Sequence, residues 1–184
     1  RLLAAGSMPP RGNQGGANRE TFLRSGLRPR DERNIQETDL KIAYFGLPLG
    51  ALLLARDGHE LGPVVLSPVE APGRRRLRRL VPGLLDATDS GGDFAKRVES
   101  ALNEEQPDLL LSWFWTRKLP ASWLAAAKDG GVGVHPSLLP RHRGPNPYFW
   151  SIDAGDEQTG VTLHRLTDEY DTGHMLDSRA VPIG

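Results

Sequence analysis

Residues 133–150, reading GVHPSLLPRHRGPNPYFW, restrict what this chain can fold into more than any other stretch. An apolar approach over Gly131, Val132, Gly133 and Val134 runs into His135, and Pro136, Pro140, Pro145 and Pro147 follow at once. Each proline fixes its φ near about −65° and pushes the preceding residue toward extended backbone. The pattern predicts a strand that presents His135 at its C-terminal edge, then an irregular loop held stiff by its prolines. Ordering that loop costs less than ordering a Gly/Ser linker, because proline has already lost freedom in the unfolded chain. The crevice outside the carboxyl ends of strands is where an open α/β sheet binds its ligands.

A second stretch complements it. Thr159-Gly-Val-Thr-Leu-His-Arg-Leu166 alternates in part as a strand does, and Asp168-Glu-Tyr-Asp-Thr-Gly-His174 turns sharply after it. That turn carries Asp171, which a neighbouring strand end would set opposite His135. A histidine and an aspartate brought together from two loops form an acid–base pair. His135 and Asp171 are the expected catalytic residues.

The remaining segments alternate between strand and helix. Leu40–Gly46 reads as a first buried parallel strand, Gly46-Leu-Pro48 as a turn into a helix over 49–55, and Gly62–Ser67 as the second strand. Gly46 and Gly50 do not spell the G-x-G-x-x-G of a dinucleotide loop, so a tight βα turn is expected there. Val81–Asp89 reads as a lead into a loop. Phe94, Val98 and Leu102, spaced four apart, mark an amphipathic helix over 93–103. Pro107–Trp115 is a further buried strand, and Ser122–Lys128 a short helix. Tyr148–Asp153 is a helix expected to pack its aromatic side chains inward. Strands over 159–165 and 175–181 close the sheet. Such alternation across short connections predicts a three-layer α/β/α fold, Rossmann-like, with a mainly parallel sheet.

Charge narrows the partners. Lys plus Arg (23) equals Asp plus Glu (23), so no net field draws a polyanion and phosphate contact must be local. One patch qualifies: Arg74, Arg75, Arg76, Arg78 and Arg79, five arginines in six positions. Either they bind phosphate bidentately and release counterions, or they form a solvated face. The chain has no cysteine, which removes disulfide frames, thiolate catalysis and cysteine-bound metal. No HExxH or HxH spacing marks a metal site, and Ser137 lacks a nucleophile-elbow context. No apolar run approaches the roughly 18 residues of a membrane span, and a cytoplasmic location is expected. Residues 1–38, with clustered Gly and Pro and few apolar residues, read as a flexible tail, some of it non-native since the chain starts without methionine. Residues 39–184 read as one domain.

HPSLLPRHRGPNPYFW followed by GDEQTGVTLHRLTDEYDTGHML resembles the core of the folate-dependent formyltransferases. That family carries Asn-x-His before Pro-Ser-Leu-Leu-Pro, then a Thr-Gly-Val-Thr strand, then Asp-x-Gly or Asp-Thr-Gly. The likeness implies transfer of a formyl group from 10-formyltetrahydrofolate to an amine. Methionyl-tRNA is the implied acceptor, because methionyl-tRNA formyltransferases carry a basic insertion where the run Arg74, Arg75, Arg76, Arg78 and Arg79 stands. A pterin pocket is implied near the loop ending at Leu119-Pro120, with Trp115, Leu119, Leu139, Pro140 and Arg141 as folate contacts. Trp113, Phe114 and Trp115 otherwise cap the core. His135 would stabilise the oxyanion and Asp171 would orient it.

One position departs from the family pattern. Gly133 stands where the family has its catalytic Asn, a second oxyanion donor whose loss typically costs roughly 10²–10³ in rate. A water is a candidate for the vacated volume. Three readings remain open: a formyltransferase acting on methionyl-tRNA, a sugar nucleotide or another small amine; a catalytically impaired folate-binding module; and a C-terminally truncated fragment, since family members continue beyond the point where Gly184 stands. Of the other histidines, His142 is expected to meet solvent, phosphate or a glutamate tail, and His164 to be a hydrogen-bonded structural residue.

Overall fold

The computed structural model describes residues 40–89 and 93–184. The tail expected over 1–38 lies outside the described residues. Seven strands, β1 (Lys41–Gly46), β2 (Glu60–Leu66), β3 (Leu85–Asp86), β4 (Leu109–Trp113), β5 (Gly131–His135), β6 (Gln158–Arg165) and β7 (Met175–Pro182), form one sheet in the order β3-β2-β1-β4-β5-β6-β7. The first five in that order are parallel, and β6 and β7 add antiparallel to the β5 edge. Among the described residues five helices accompany them: α1 (Pro48–Arg56), α2 (Arg74–Leu80), α3 (Phe94–Glu105), α4 (Ala121–Ala125) and α5 (Pro147–Asp153).

Both faces of the parallel part are covered, and β1 shows why. Successive side chains point to opposite faces of a strand. Ala43 and Phe45 join Val65, Leu110, Val98, Leu102 and Trp123 in a core under α3 and α4. Tyr44, between them, joins Val64, Leu66, Ala51 and Leu77 under α1 and α2. The expected three-layer α/β/α domain is the observed one. Phe45 is fully buried, and truncating such a residue to alanine costs roughly 3–5 kcal/mol.

The β1–α1 connection is the expected tight turn. A Cβ at Gly46 would fall 1.8 Å from the Trp113 carbonyl oxygen, so only glycine lets β1 run this close to β4. The Tyr44 hydroxyl donates to the Leu47 carbonyl at 2.7 Å and fills the space beside Gly50. Burial in this apolar setting pushes the Tyr44 phenol well above its ordinary range.

Two elements differ from the sequence expectation. Leu85–Asp86, expected in a loop, is a two-residue strand paired with β2, too short to show any periodicity. In α5 the aromatic residues face outward: Tyr148, Phe149 and Trp150 are each about half exposed, while Pro147 and Ser151 are buried. The Ser151 hydroxyl donates to the Pro147 carbonyl at 2.9 Å and lies 3.2 Å from Thr159 Oγ1, so the small residues hold α5 against β6. Among the described residues no helix is long and apolar enough to cross a membrane.

Candidate active site

β5 and β6 build the site between them. Their antiparallel register sets Gly133 opposite His164 and His135 opposite Thr162. Thr162 fixes the loop after β5: its hydroxyl donates to the Ser137 carbonyl at 2.7 Å and accepts the Leu139 N–H at 3.1 Å. Ser137 donates to the Arg141 carbonyl at 2.7 Å. Asp156 then ties down the far side of the loop through His142 Nε2 at 2.7 Å and the Arg141 guanidinium. The hydrogen bond from His142, helped by Arg141, holds the Asp156 carboxyl below the usual carboxylate range. The prolines stiffen a loop that hydrogen bonds also pin.

His135 is buried at the end of β5 with Nδ1 3.3 Å from Asp171 Oδ2. The same oxygen accepts the Gly144 N–H at 2.8 Å. His135 Nε2 lies 2.9 Å from the His142 carbonyl oxygen, and because a carbonyl only accepts, Nε2 carries a proton. A second imidazole reaches the same carboxylate, with His164 Nε2 3.5 Å from Asp171 Oδ1. Its Nδ1 donates to the Arg165 carbonyl at 2.9 Å. Each ring therefore gives one N–H to the backbone and turns its other nitrogen toward Asp171. The expected pairing of His135 with Asp171 is present in the structure, and His164 is its third member.

These groups line a cleft of about 760 Å³ that also takes in Gly133, Trp115 and Leu119. Trp115 packs edge-on against Phe45, and its indole Nε1 is a buried donor without a protein partner among the described residues. Trp115, Leu119 and Phe114 supply an apolar and aromatic part of the wall, beside the charged side chains of Arg117, Lys118 and Glu169. Of the neighbouring aromatics, Trp113 packs against the α1–α2 core, while Phe114 lines the cleft and is partly exposed. Leu139, Pro140 and Arg141 do not line it: Leu139 is buried against Thr162, and Arg141 is held by Asp156.

The arginine run divides in two. Arg74 and Arg78 both bind the buried carboxylate of Asp86, whose other oxygen accepts the Thr88 N–H and hydroxyl. Burial pushes the Asp86 carboxyl up, but hydrogen bonds from Arg74, Thr88 and Arg78 outweigh it and hold it well below the usual carboxylate range. Arg75, Arg76 and Arg79 are exposed and pair with no carboxylate among the described residues. They line a separate open cleft of about 840 Å³ with Pro68, Glu70 and Pro72.

Space beside Gly133 is not left for water. A Cβ built on Gly133 would lie 2.8 Å from His164 Nε2 and 2.9 Å from Leu166 Cδ2, so the imidazole already occupies that volume. His164 is the buried, hydrogen-bonded strand residue expected, and counting back along an antiparallel β5–β6 pair places it opposite Gly133.

The mainly parallel α/β sheet thus carries a His–Asp pair at a strand end, on the wall of a partly apolar cleft. Residues 66–184 match the model of the formyl transferase family. The chain is 34% identical over 156 residues to the methionyl-tRNA formyltransferase of Geobacter sulfurreducens, covering 79% of this chain and 49% of that protein. It is similar in structure to phosphoribosylglycinamide formyltransferase from Bacillus halodurans, with TM-score 0.65, 25% identity, and 78% and 80% of the two chains covered. Its fold is also that of HypX from Aquifex aeolicus in complex with tetrahydrofolic acid, with TM-score 0.58 and 23% identity over 80% of this chain and 22% of that one. The chain belongs to the formyl transferase family. It spans about half the length of the curated relatives it matches.

Proposed function

We propose that this protein transfers a formyl group from 10-formyltetrahydrofolate to an amine, with methionyl-tRNA as the acceptor. The observation that carries the reading is the His135–Asp171 pair, 3.3 Å apart, on the wall of the 760 Å³ cleft that Trp115 also lines. In this reaction the acceptor nitrogen bonds to the formyl carbon, and the bond from that carbon to the folate nitrogen breaks. The amine gives up a proton and the departing nitrogen gains one. Negative charge gathers meanwhile on the formyl oxygen.

His135 serves that oxygen: its Nε2–H, resting on the His142 carbonyl, exchanges this acceptor for the developing oxyanion. Hydrogen bonds in a free site commonly tighten on the substrate only in the reacting complex. Asp171 holds the imidazole in place and stabilises its protonated form while the amine proton moves. Trp115 and Leu119 receive the heterocycle. Folate contacts from Leu139, Pro140 and Arg141 are not part of the proposal, because those residues serve the loop.

The tRNA acceptor is supported by the methionyl-tRNA formyltransferase relatives and by Arg75, Arg76 and Arg79, which are exposed, line their own open cleft and pair with no carboxylate among the described residues. Three guanidiniums so placed suit phosphate oxygens. Gly133 favours one second reading, a folate-binding module without turnover.

The test is formyl transfer by the purified chain from 10-formyltetrahydrofolate to methionyl-tRNA, and separately to a nucleotide amino-sugar. Formylated tRNA is the expected product. Turnover with the amino-sugar alone reassigns the acceptor, folate binding without turnover supports the module, and absence of folate binding overturns the proposal.

A further inference from the structure

Both members of the His135–Asp171 pair are held by one short piece of the proline loop. The His142 carbonyl accepts the His135 Nε2–H at 2.9 Å, and two residues on the Gly144 N–H donates to Asp171 Oδ2 at 2.8 Å. The inward carbonyl goes with left-handed backbone at His142, φ +53°. A residue with a Cβ takes that conformation uncommonly and keeps it where its surroundings hold it. The hold comes from the His142 side chain. Expected to meet solvent, phosphate or a glutamate tail, the imidazole instead sets Nε2 2.7 Å from Asp156 Oδ2 and is no part of the cleft wall. The hydrogen bond from His142, helped by Arg141, holds the Asp156 carboxyl below the usual range, so the carboxylate accepts and Nε2 donates. Asp156 is itself fixed. Its side chain is 8% exposed, and its N–H donates at 3.0 Å to the carbonyl of Ser151, a buried residue of α5.

We infer that His142 is a positioning residue: its imidazole, clamped by Asp156, holds the left-handed turn whose carbonyl orients His135 toward Asp171. The catalytic consequence rests on the formyl-transfer reading; the clamp itself does not. Two contacts thus act in series, Asp156 on the His142 side chain and the His142 backbone on His135. The outer imidazole never has to touch substrate. A carbonyl only accepts, so it selects the form of His135 that carries a proton on Nε2, which is the proton an oxyanion needs. A side chain at 142 without a donor leaves the carbonyl free to turn away and the His135 ring free to tilt.

The test is a double-mutant cycle over His142→Phe and Asp156→Ala in the purified chain, with His142→Gln beside it, read by ¹⁵N imidazole spectra, kcat and KM. His142→Phe keeps a ring and loses the donor. It is expected to shift the His135 Nε2 resonance and to lower kcat about 10–100-fold, as misplacement of a reacting group does. KM for the formyl donor changes by less than about threefold, because the cleft wall is untouched. His142→Gln, whose amide reaches Asp156, restores the native His135 spectrum and part of kcat. Asp156→Ala repeats the loss, and the double variant loses no more than Asp156→Ala alone. A folded His142→Phe chain with native kcat and a native His135 resonance overturns the inference, and so do losses from the two substitutions that simply add. Should His142→Phe not fold, His142→Gln decides: a native His135 resonance supports the clamp and a displaced one overturns it. Should the native chain turn over no acceptor, the formyl-transfer reading falls; the imidazole spectra then still decide the clamp.

Discussion

The Gly144 N–H donates to Asp171 Oδ2 at 2.8 Å, joining the proline loop to the turn after β6 across 27 positions of sequence. Both residues occupy left-handed backbone, with φ +82° at Gly144 and +53° at Asp171. Glycine adopts it freely, and aspartate is among the few other residues that do so readily. One carboxylate thereby fixes the loop and faces His135. The two duties separate by substitution. Asp171→Asn keeps an oxygen for the Gly144 N–H and loses the charge, so kcat is expected to fall about 10²–10⁴-fold while the melting temperature stays within about 2 °C. Asp171→Ala loses both and melts several degrees lower. Steady-state kinetics and thermal melts decide it; an Asn variant with native kcat removes the Asp171 charge from the mechanism.

Trp115 makes an opposite pair of effects testable. Its ring packs edge-on against Phe45 at 5.5 Å, and its Nε1 has no protein acceptor among the described residues. A buried unmet donor costs about 1–3 kcal/mol, a cost that phenylalanine does not carry. Trp115→Phe is expected to leave stability unchanged or slightly raised, less whatever the smaller ring loses in packing. Tetrahydrofolate affinity, read by calorimetry, is expected to fall about 3–10-fold, as the loss of one hydrogen bond predicts. Affinity equal to that of the native chain removes the indole N–H from the folate site.

Much of this architecture was readable from the chain, and the reasons for the misses are specific. His135 and Asp171 could be paired because the prolines mark His135 as the end of one strand, while the sharp turn after the next strand carries Asp171. β3 could not be found, because Leu85 and Asp86 carry no alternation. Nor could the outward turn of Tyr148, Phe149 and Trp150 be foreseen, since apolar character favours burial but α5 is anchored by Pro147 and Ser151 instead. Leu139 looked like a pocket residue within its motif; Thr162, 23 positions away, draws it into the interior. The place of His164 opposite Gly133 follows only from register, which a sequence leaves open until strand neighbours are known.

The five arginines divide into two experiments because Asp86 divides them. Arg75, Arg76 and Arg79 are exposed and pair with no carboxylate among the described residues, so replacing all three by alanine should leave the melting temperature nearly unchanged. If they meet tRNA phosphates, binding weakens and the slope of log K against log salt flattens by roughly 0.7–0.9 for each phosphate no longer neutralised. A salt titration of tRNA binding measures this directly. An unchanged slope assigns the three arginines to a solvated face.

Asp86 sets a limit on acid stability whose sign is fixed by its partners. Its side chain is 1% exposed and accepts hydrogen bonds from Arg74, Arg78 and Thr88. Despite burial, those bonds keep its folded carboxyl well below the usual range, whereas in the unfolded chain it titrates near its ordinary value of about 3.9. The folded state therefore binds this proton less readily than the unfolded state. The stabilisation is complete above about pH 4 and is lost as pH falls through the folded value. Asp86→Asn removes charge-assisted bonds that contribute about 1.5–3 kcal/mol each to the native state, offset in part because Arg74 keeps the Ser67 and Val69 carbonyls. Denaturant titrations should show a constant deficit for the Asn variant between about pH 5 and 7, narrowing steadily below about pH 4. A deficit that stays level down to about pH 3 would mean that Asp86 titrates alike in both states, and that Arg74 and Arg78 serve packing rather than charge.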